Sequence, residues 1–213
     1  MHQPNRERKN EIKYLISLNE EQKKVREGIC NKDVTIILGT WGTGKTCTAV
    51  LAALDLVFKQ RLDKIYITRP INFEATGYLK GTIDEKMAMH IFPIKQNMYS
   101  VYGRDKVDKM FQEGVIQIIP IDYMKGMTII DSVMIVDEFE DITFEDFRLI
   151  LTRLGKGSKL IFTGSEEQIG IKNSCISKVK KLSNCEYVSF NTLISNHRND
   201  IIPNILKHIE DGS

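Results

Sequence analysis

The sequence predicts an α/β fold, a mostly parallel sheet flanked by helices in a single domain, and three observations predict it. Short Ile- and Val-rich runs alternate with amphipathic stretches along the 213 residues. None of those runs shows a clear in–out alternation, which is how strands covered on both faces of a parallel sheet read. A glycine turn separates the first such run from the helical pattern behind it, and ligands of doubly wound sheets bind at such strand ends.

In order, the strand candidates are residues 34–39, 64–68, 115–119, 132–137, 158–163 and 186–190. Helical patterns fall at 19–29, 45–60, 82–101, 143–154 and 200–210. Asn19 with Gln22 three residues on, and Thr143 with Asp146, have the spacing of helix N-caps. Repeated strand–helix units imply the parallel sheet. With no repeat, low-complexity segment or Gly/Ser linker, the expected organisation is an N-terminal tail, 1–14, and one domain, 15–213.

Composition narrows the function classes. Hydrophobic residues make up 42% and charged residues 27%, a balance that supports a core and a water-facing surface. Thirty basic against 28 acidic residues neither demand nor exclude a polyanionic partner. The N-terminus lacks the apolar core of a signal peptide, and no run reaches the ~18 apolar residues of a membrane span. The expectation is a soluble, cytoplasmic protein, in host cytoplasm if virus-encoded. Cys30, Cys47, Cys175 and Cys185 form no CxxC pair and have no His at zinc-ligand spacing. Cys47 adjoins a helix N-terminus, which lowers a thiol pKa, but a small packing residue is the simpler reading. His2, His90, His197 and His208 form no cluster.

The segment Gly39–Thr46, GTWGTGKT, matches G-x-x-x-x-G-K-[ST] between a strand and a helix, the context that gives the motif its meaning. Gly39, Thr40, Trp41, Gly42, Thr43 and Gly44 supply a loop whose N–H groups turn inward around phosphate oxygens. The following helix, through Lys45, Thr46 and Cys47, adds its unpaired N–H groups and positive dipole end. Lys45 supplies charge to the outer phosphates, and the Thr46 hydroxyl ligates Mg²⁺. ATP with Mg²⁺ is the expected cofactor pair.

Val133–Asp141, VMIVDEFED, puts two carboxylates at a strand's carboxyl end. Asp137 is the expected metal residue and Glu138 the base that activates water, a second acid that favours an ATPase over a kinase. Glu140 and Asp141 read as an ordinary acidic turn before Thr143. Gln168, after the strand ending at Thr163 and Gly164, is the candidate γ-phosphate sensor. Residues 68–81, TRPINFEATGYLKG, mix phosphate donors and stacking rings: Arg69, Phe73, Tyr78 and Lys80, a mixture suited to single-stranded nucleic acid. The same residues also suit packing on a neighbouring subunit.

GTWGTGKT, ITRP, GYLKGTIDEK, IPIDYMKGMT, MIVDE, ILTRLGKGSKLIFTG and HRNDIIPNI occur in this order over residues 15–210. The chain thereby resembles PhoH-like proteins, P-loop ATPases of phosphate-starvation type. The resemblance implies a RecA-like P-loop NTPase fold, similar to superfamily 1 helicase cores. It implies ATP hydrolysis, a hexameric ring as the homo-oligomer, and RNA as partner in some members, so single-stranded RNA or DNA is the expected nucleic acid here. It carries the P-loop role to Gly42, Gly44, Lys45 and Thr46, the acids to Asp137 and Glu138, the later Gln to Gln168 and the late Arg to Arg198. Gln22, in LNEEQ, resembles the adenine-reading Gln of helicase cores; a carboxamide pairs with both N6 and N7 of adenine. This chain departs from the family pattern at Ser165, where Asp is usual, and at Lys125 and Met127, where arginines are usual. It has Ser195 near another usual Asp. Losing two forked guanidinium donors bears on nucleic-acid engagement and turnover more than on ATP binding. A single ATPase domain lacks the second domain against which helicases close, so a ring would complete the site, with Arg198 acting across the interface. The alternative is a nucleotide-gated assembly module with negligible turnover.

Overall fold

A computed structural model describes residues 14–59, 61–70 and 83–197. Six strands form one all-parallel sheet: β1 (Val34–Gly39), β2 (Lys64–Thr68), β3 (Ile116–Ile118), β4 (Ser132–Asp137), β5 (Lys159–Gly164) and β6 (Val188–Leu193). Their order across the sheet is β3-β2-β4-β5-β1-β6. Parallel strands need crossovers, and helices supply them. These are α1 (Glu20–Asn31), α2 (Lys45–Phe58), α3 (Ile83–Tyr102), α4 (Arg104–Gln112), α5 (Phe144–Leu151) and the short α6 (Ile176–Val179).

The strands lack alternation in sequence because both sides of the sheet are covered. Ile37, Ile65, Ile67, Val133, Ile135 and Ile161 point to one side, where α1 to α4 pack. Val34, Ile36, Leu38, Met134, Val136, Leu160 and Phe162 point to the other, against α5 and α6. Every residue of β4 is buried. Burying such a side chain stabilises by roughly 1.5–3 kcal/mol. Strand β4 therefore holds its carboxyl-terminal acids on a rigid support. Helix α2 is buried from Thr48 to Leu56, an apolar-all-round pattern suited to a central helix.

Asn19 and Thr143 each form a full capping box, with Gln22 and Asp146 as the reciprocal partners. Among the described residues the expected strands and helices are found, β1, β2 and β4 with the expected bounds and the others with shifted ends. Strand β6 starts at Val188 rather than 186 and runs on to Leu193. Helix α5 stops at Leu151 rather than 154. Helix α4 was not expected; Gly103, at φ 92°, separates it from α3. The helix expected at 200–210 lies outside the described residues, as do Tyr78, Lys80, Phe73 and Arg198.

Candidate active site

Strand β1 delivers the chain to a loop whose Gly42 and Gly44 hold φ values of 77° and 80°, in the left-handed region that favours glycine. Gly39 is needed for a different reason: a Cβ there would stand 2.6 Å from the Leu193 carbonyl oxygen. The Thr43 hydroxyl donates to the Thr40 carbonyl at 3.0 Å, tightening the loop. Lys45 Nζ donates to the carbonyls of Gly39 and Thr40 at 2.8 and 2.7 Å, folding its charge over the loop. Trp41, Gly42, Gly44, Lys45, Thr46 and Cys47 line a cavity of about 240 Å³, whereas Gly39, Thr40 and Thr43 shape the loop beneath it. Burial pushes the Cys47 thiol upward, so it is a packing residue and not an activated nucleophile.

Two strands away, β4 brings Asp137 to the same cavity. Its Oδ1 accepts from the Thr46 hydroxyl at 2.8 Å and from the Thr163 hydroxyl at 2.5 Å. One carboxylate thus ties together the ends of β4 and β5 and the start of α2. Hard oxygen donors of this kind suit Mg²⁺, which takes one or two protein ligands and completes its shell with phosphates and water. Among the described residues no three His, Cys, Asp or Glu side chains converge as a closed cage. Thr46 and Asp137 would hold the ion, and it would supply charge neutralisation between the outer phosphates.

Glu138 follows Asp137 with φ 54°, an unusual left-handed turn for a residue with a Cβ. The turn takes its carboxylate off the strand line and into the cavity. There it meets Arg69, the first residue after β2. Arg69 Nε donates to Glu138 Oε2 at 2.7 Å and Nη2 pairs with Oε1, a fork-on-fork contact. The sheet register explains the meeting: Thr68 lies opposite Val136, so the next residues of each strand exit side by side. Burial raises the Glu138 carboxyl above its ordinary range, and Arg69 pulls it back down.

Glu140 differs from the acidic turn residue expected ahead of Thr143, whose cap is completed by Asp146 instead. It is 3% exposed, lines the cavity, and its Oε2 has no hydrogen-bond partner. Burial pushes its carboxyl up to about 7, partly offset by its own backbone amide and that of Ser165. Asp141 behaves as expected of a turn acid, accepting from the Gly170 amide at 2.6 Å. Gln168 lines the cavity from an exposed turn beyond β5. Ser165, at the departure from the family pattern, is fully buried with an unpartnered hydroxyl.

Gln22 occupies a second cavity, about 330 Å³, which shares Gly44 and Cys47 with the first. Its Oε1 accepts from the Asn19 amide and its Nε2 donates to the Thr43 carbonyl, at 3.1 Å each. His197 closes the same cavity, donating its backbone N–H to the Gly42 carbonyl and touching Asn19 Nδ2 through Nε2. Glu21 accepts from the amides of Ile194 and Ser195, so the segment after β6 is tied to α1 and to the loop together. Lys125 is exposed and outside both cavities, and the Met127 carbonyl accepts from Arg153. Sequence reasoning missed Thr163, Glu140, His197 and the Arg69–Glu138 pair. A strand-terminal Thr beside Gly164 was the available signal for the first.

A glycine loop between β1 and α2, with a Thr–Asp pair beneath it on an all-parallel sheet, defines a P-loop NTPase-type protein of RecA-like fold. The family model described as PhoH-like protein matches residues 14–210, and the chain belongs to that family. It is 31% identical to a PhoH-like protein of Bacillus subtilis (strain 168), over 95% of this chain and 70% of that one. It is 32% identical to a PhoH-like protein of Mycobacterium bovis, over 75% of this chain, and 28% identical to the Protein PhoH of Escherichia coli (strain K12), over 76%. Of those two relatives it spans 46% and 47%. Among solved structures, the large terminase of a thermophilic bacteriophage superposes with TM-score 0.53 at 13% identity, covering 91% of this chain and 50% of the terminase. The UvsW helicase of bacteriophage T4 superposes with TM-score 0.50 at 17% identity, covering 83% and 60%. These likenesses show the fold. No described helix is long and apolar enough to cross a membrane.

Proposed function

We propose that this chain is a Mg²⁺-dependent ATPase that works as an oligomeric ring, a hexamer, on single-stranded RNA or DNA. The observation that carries the reading is the Thr46–Asp137–Thr163 oxygen cluster beneath the glycine loop, with a second carboxylate, Glu138, in the same cavity. Glu138 is the base that takes a proton from the attacking water, Lys45 and the loop amides hold the outer phosphates, and Gln168 orients water and phosphate. Gln22 exchanges its contact with the Thr43 carbonyl for the adenine edge. Arg69 and Lys125, with Tyr78 and Lys80 from the sequence, face the polynucleotide, and Arg198 reaches the triphosphate of a neighbouring subunit.

A phosphate-release assay with and without single-stranded RNA, run beside Glu138→Gln, tests the reading. Glu138→Gln should keep ATP and Mg²⁺ binding and slow hydrolysis by at least about 100-fold, as loss of a general base does. An unchanged turnover number would move the base elsewhere. The second reading, a nucleotide-gated assembly module, is favoured by one observation: both Glu138 oxygens are held by Arg69. Tight ATP binding with no phosphate release under any polynucleotide would select it.

A further inference from the structure

The Arg69–Glu138 pair poses a chemical problem for a base. A carboxylate held by both arms of a guanidinium has less electron density to offer a proton, and its remaining lone pairs point away from the fork. The contact is not an incidental surface pair: the Arg69 side chain is 17% exposed, and both partners sit in the nucleotide cavity. We infer that Arg69 is a positioning residue that latches Glu138 at rest, and that a phosphodiester of a bound single strand opens the latch by competing for the guanidinium. The inference rests on the reading of Glu138 as the base.

The sheet order argues for the source of that phosphate. The glycine loop follows β1, and β5 and β4 lie between β1 and β2. Arg69 therefore reaches Glu138 from the flank opposite the loop, while Lys45, Thr46 and the loop amides meet the nucleotide from the other flank. A guanidinium is suited to exchange, because its planar fork fits phosphate and carboxylate alike. Once Arg69 has turned to a phosphodiester, both Glu138 oxygens are free of the fork. The base is then available only when the strand is present, so hydrolysis is coupled to the polynucleotide through Arg69.

The charged groups facing Glu138 are Arg69 from β2, Asp137 from β4, Glu140 and Asp141 from the following turn, and Lys45 from α2 across the cavity. Removing Arg69 frees both Glu138 oxygens from the guanidinium fork. The experiment compares parent, Arg69→Gln and Arg69→Lys as full chains in single-turnover hydrolysis over a range of ATP concentration, with and without an oligouridylate. Glu138→Gln is the control that tests the base assignment separately. Arg69→Gln should raise the strand-free rate about three- to ten-fold, the response of a general base released from a competing partner. Its KM for ATP should stay near the parent's, and its stimulation by oligouridylate should fall to near one-fold. Arg69→Lys, which keeps the charge without the fork, should lie between, and it decides the matter should the Gln variant not fold. A strand-free rate equal to the parent's, with stimulation by oligouridylate intact, overturns the latch. A lower strand-free rate with a higher KM for ATP overturns it too, assigning Arg69 to the nucleotide. A parent indifferent to the oligonucleotide overturns the polynucleotide as the opener. If the parent hydrolyses nothing, or Glu138→Gln is as active as the parent, the proposed function fails and not the latch alone.

Discussion

On the glycine-loop half of the sheet's carboxyl rim, polar groups are interlocked by hydroxyls; on the β2 half, two opposite charges hold each other. Asp137 takes Thr46 at 2.8 Å and Thr163 at 2.5 Å, neutral donors that leave its charge in place for a metal. Glu138, the next residue, takes a guanidinium that offsets its charge. Adjacent carboxylates are therefore prepared differently. The first is oriented and ready to receive a cation, whereas the second is already occupied by one. The difference teaches that a nucleotide site can be preorganised for binding while its chemistry stays restrained, and substitutions on the two halves should separate those properties.

The largest expected effect is on the loop half. Lys45→Ala removes the charged donor that spans the loop carbonyls and is proposed to meet the outer phosphates. At about 1.5–3 kcal/mol per hydrogen bond to a charged group, loss of more than one weakens ATP binding by at least about 100-fold. Titration with a fluorescent ATP analogue checks it, and parental affinity would show that the loop amides alone hold the phosphates. Next comes Thr163→Val, which keeps shape and removes the 2.5 Å contact to Asp137. A residue that orients a metal ligand is worth roughly 10–100-fold in metal affinity. The Mg²⁺ concentration for half-maximal hydrolysis should rise toward the lower end of that range, with ATP binding in the absence of Mg²⁺ unchanged. Equal loss of both would mean that Thr163 supports the fold of the rim and not the metal residue.

What could be read from the sequence follows the same division. The glycine loop, Lys45, Thr46 and both capping boxes depend on spacings within a few residues, and each is where the sequence places it. Asp137 and Glu138 were legible because an apolar run ending in two acids has few meanings. Arg69 opposite Glu138 depends on β2 lying beside β4, and Thr163 on Asp137 depends on β5 lying beside β4. Strand order is a property of the whole chain, so neither contact is written in a local spacing. Helix α4 was missed although Val107, Met110 and Phe111 stand at i, i+3 and i+4, because the run is short and most of its other residues are charged. Strand β6 was shifted because, as an edge strand, it is only half-buried, and its polar Asn191 and Thr192 interrupt the apolar signal.

Glu140 gives the smallest expected catalytic effect and the sharpest contrast with Glu138. Its carboxyl is raised from the ordinary 4.5 to about 7 by burial against Gly164, where a Cβ would stand 2.6 Å from Oε2. Between those two pH values the folded protein binds a proton that the unfolded chain does not. Stability contributed by this group is therefore present below about 4.5 and is lost as pH rises through 7. Glu140→Gln imitates the protonated acid in shape. At acidic pH the variant and the parent should melt together. Above pH 7 the variant should be the more stable by roughly 1–3 kcal/mol, at about 1.4 kcal/mol per pKa unit. Hydrolysis by Glu140→Gln should stay within a few-fold of the parent, because the proposed base is Glu138. Thermal melts at both ends of the pH range, with phosphate release measured alongside, check both statements. A stability difference that is the same at both pH values would mean that the Glu140 carboxyl does not titrate as a buried group. A loss of turnover comparable to that of Glu138→Gln would transfer the proton-accepting role to Glu140 and leave the Arg69–Glu138 pair as a structural clasp between β2 and β4.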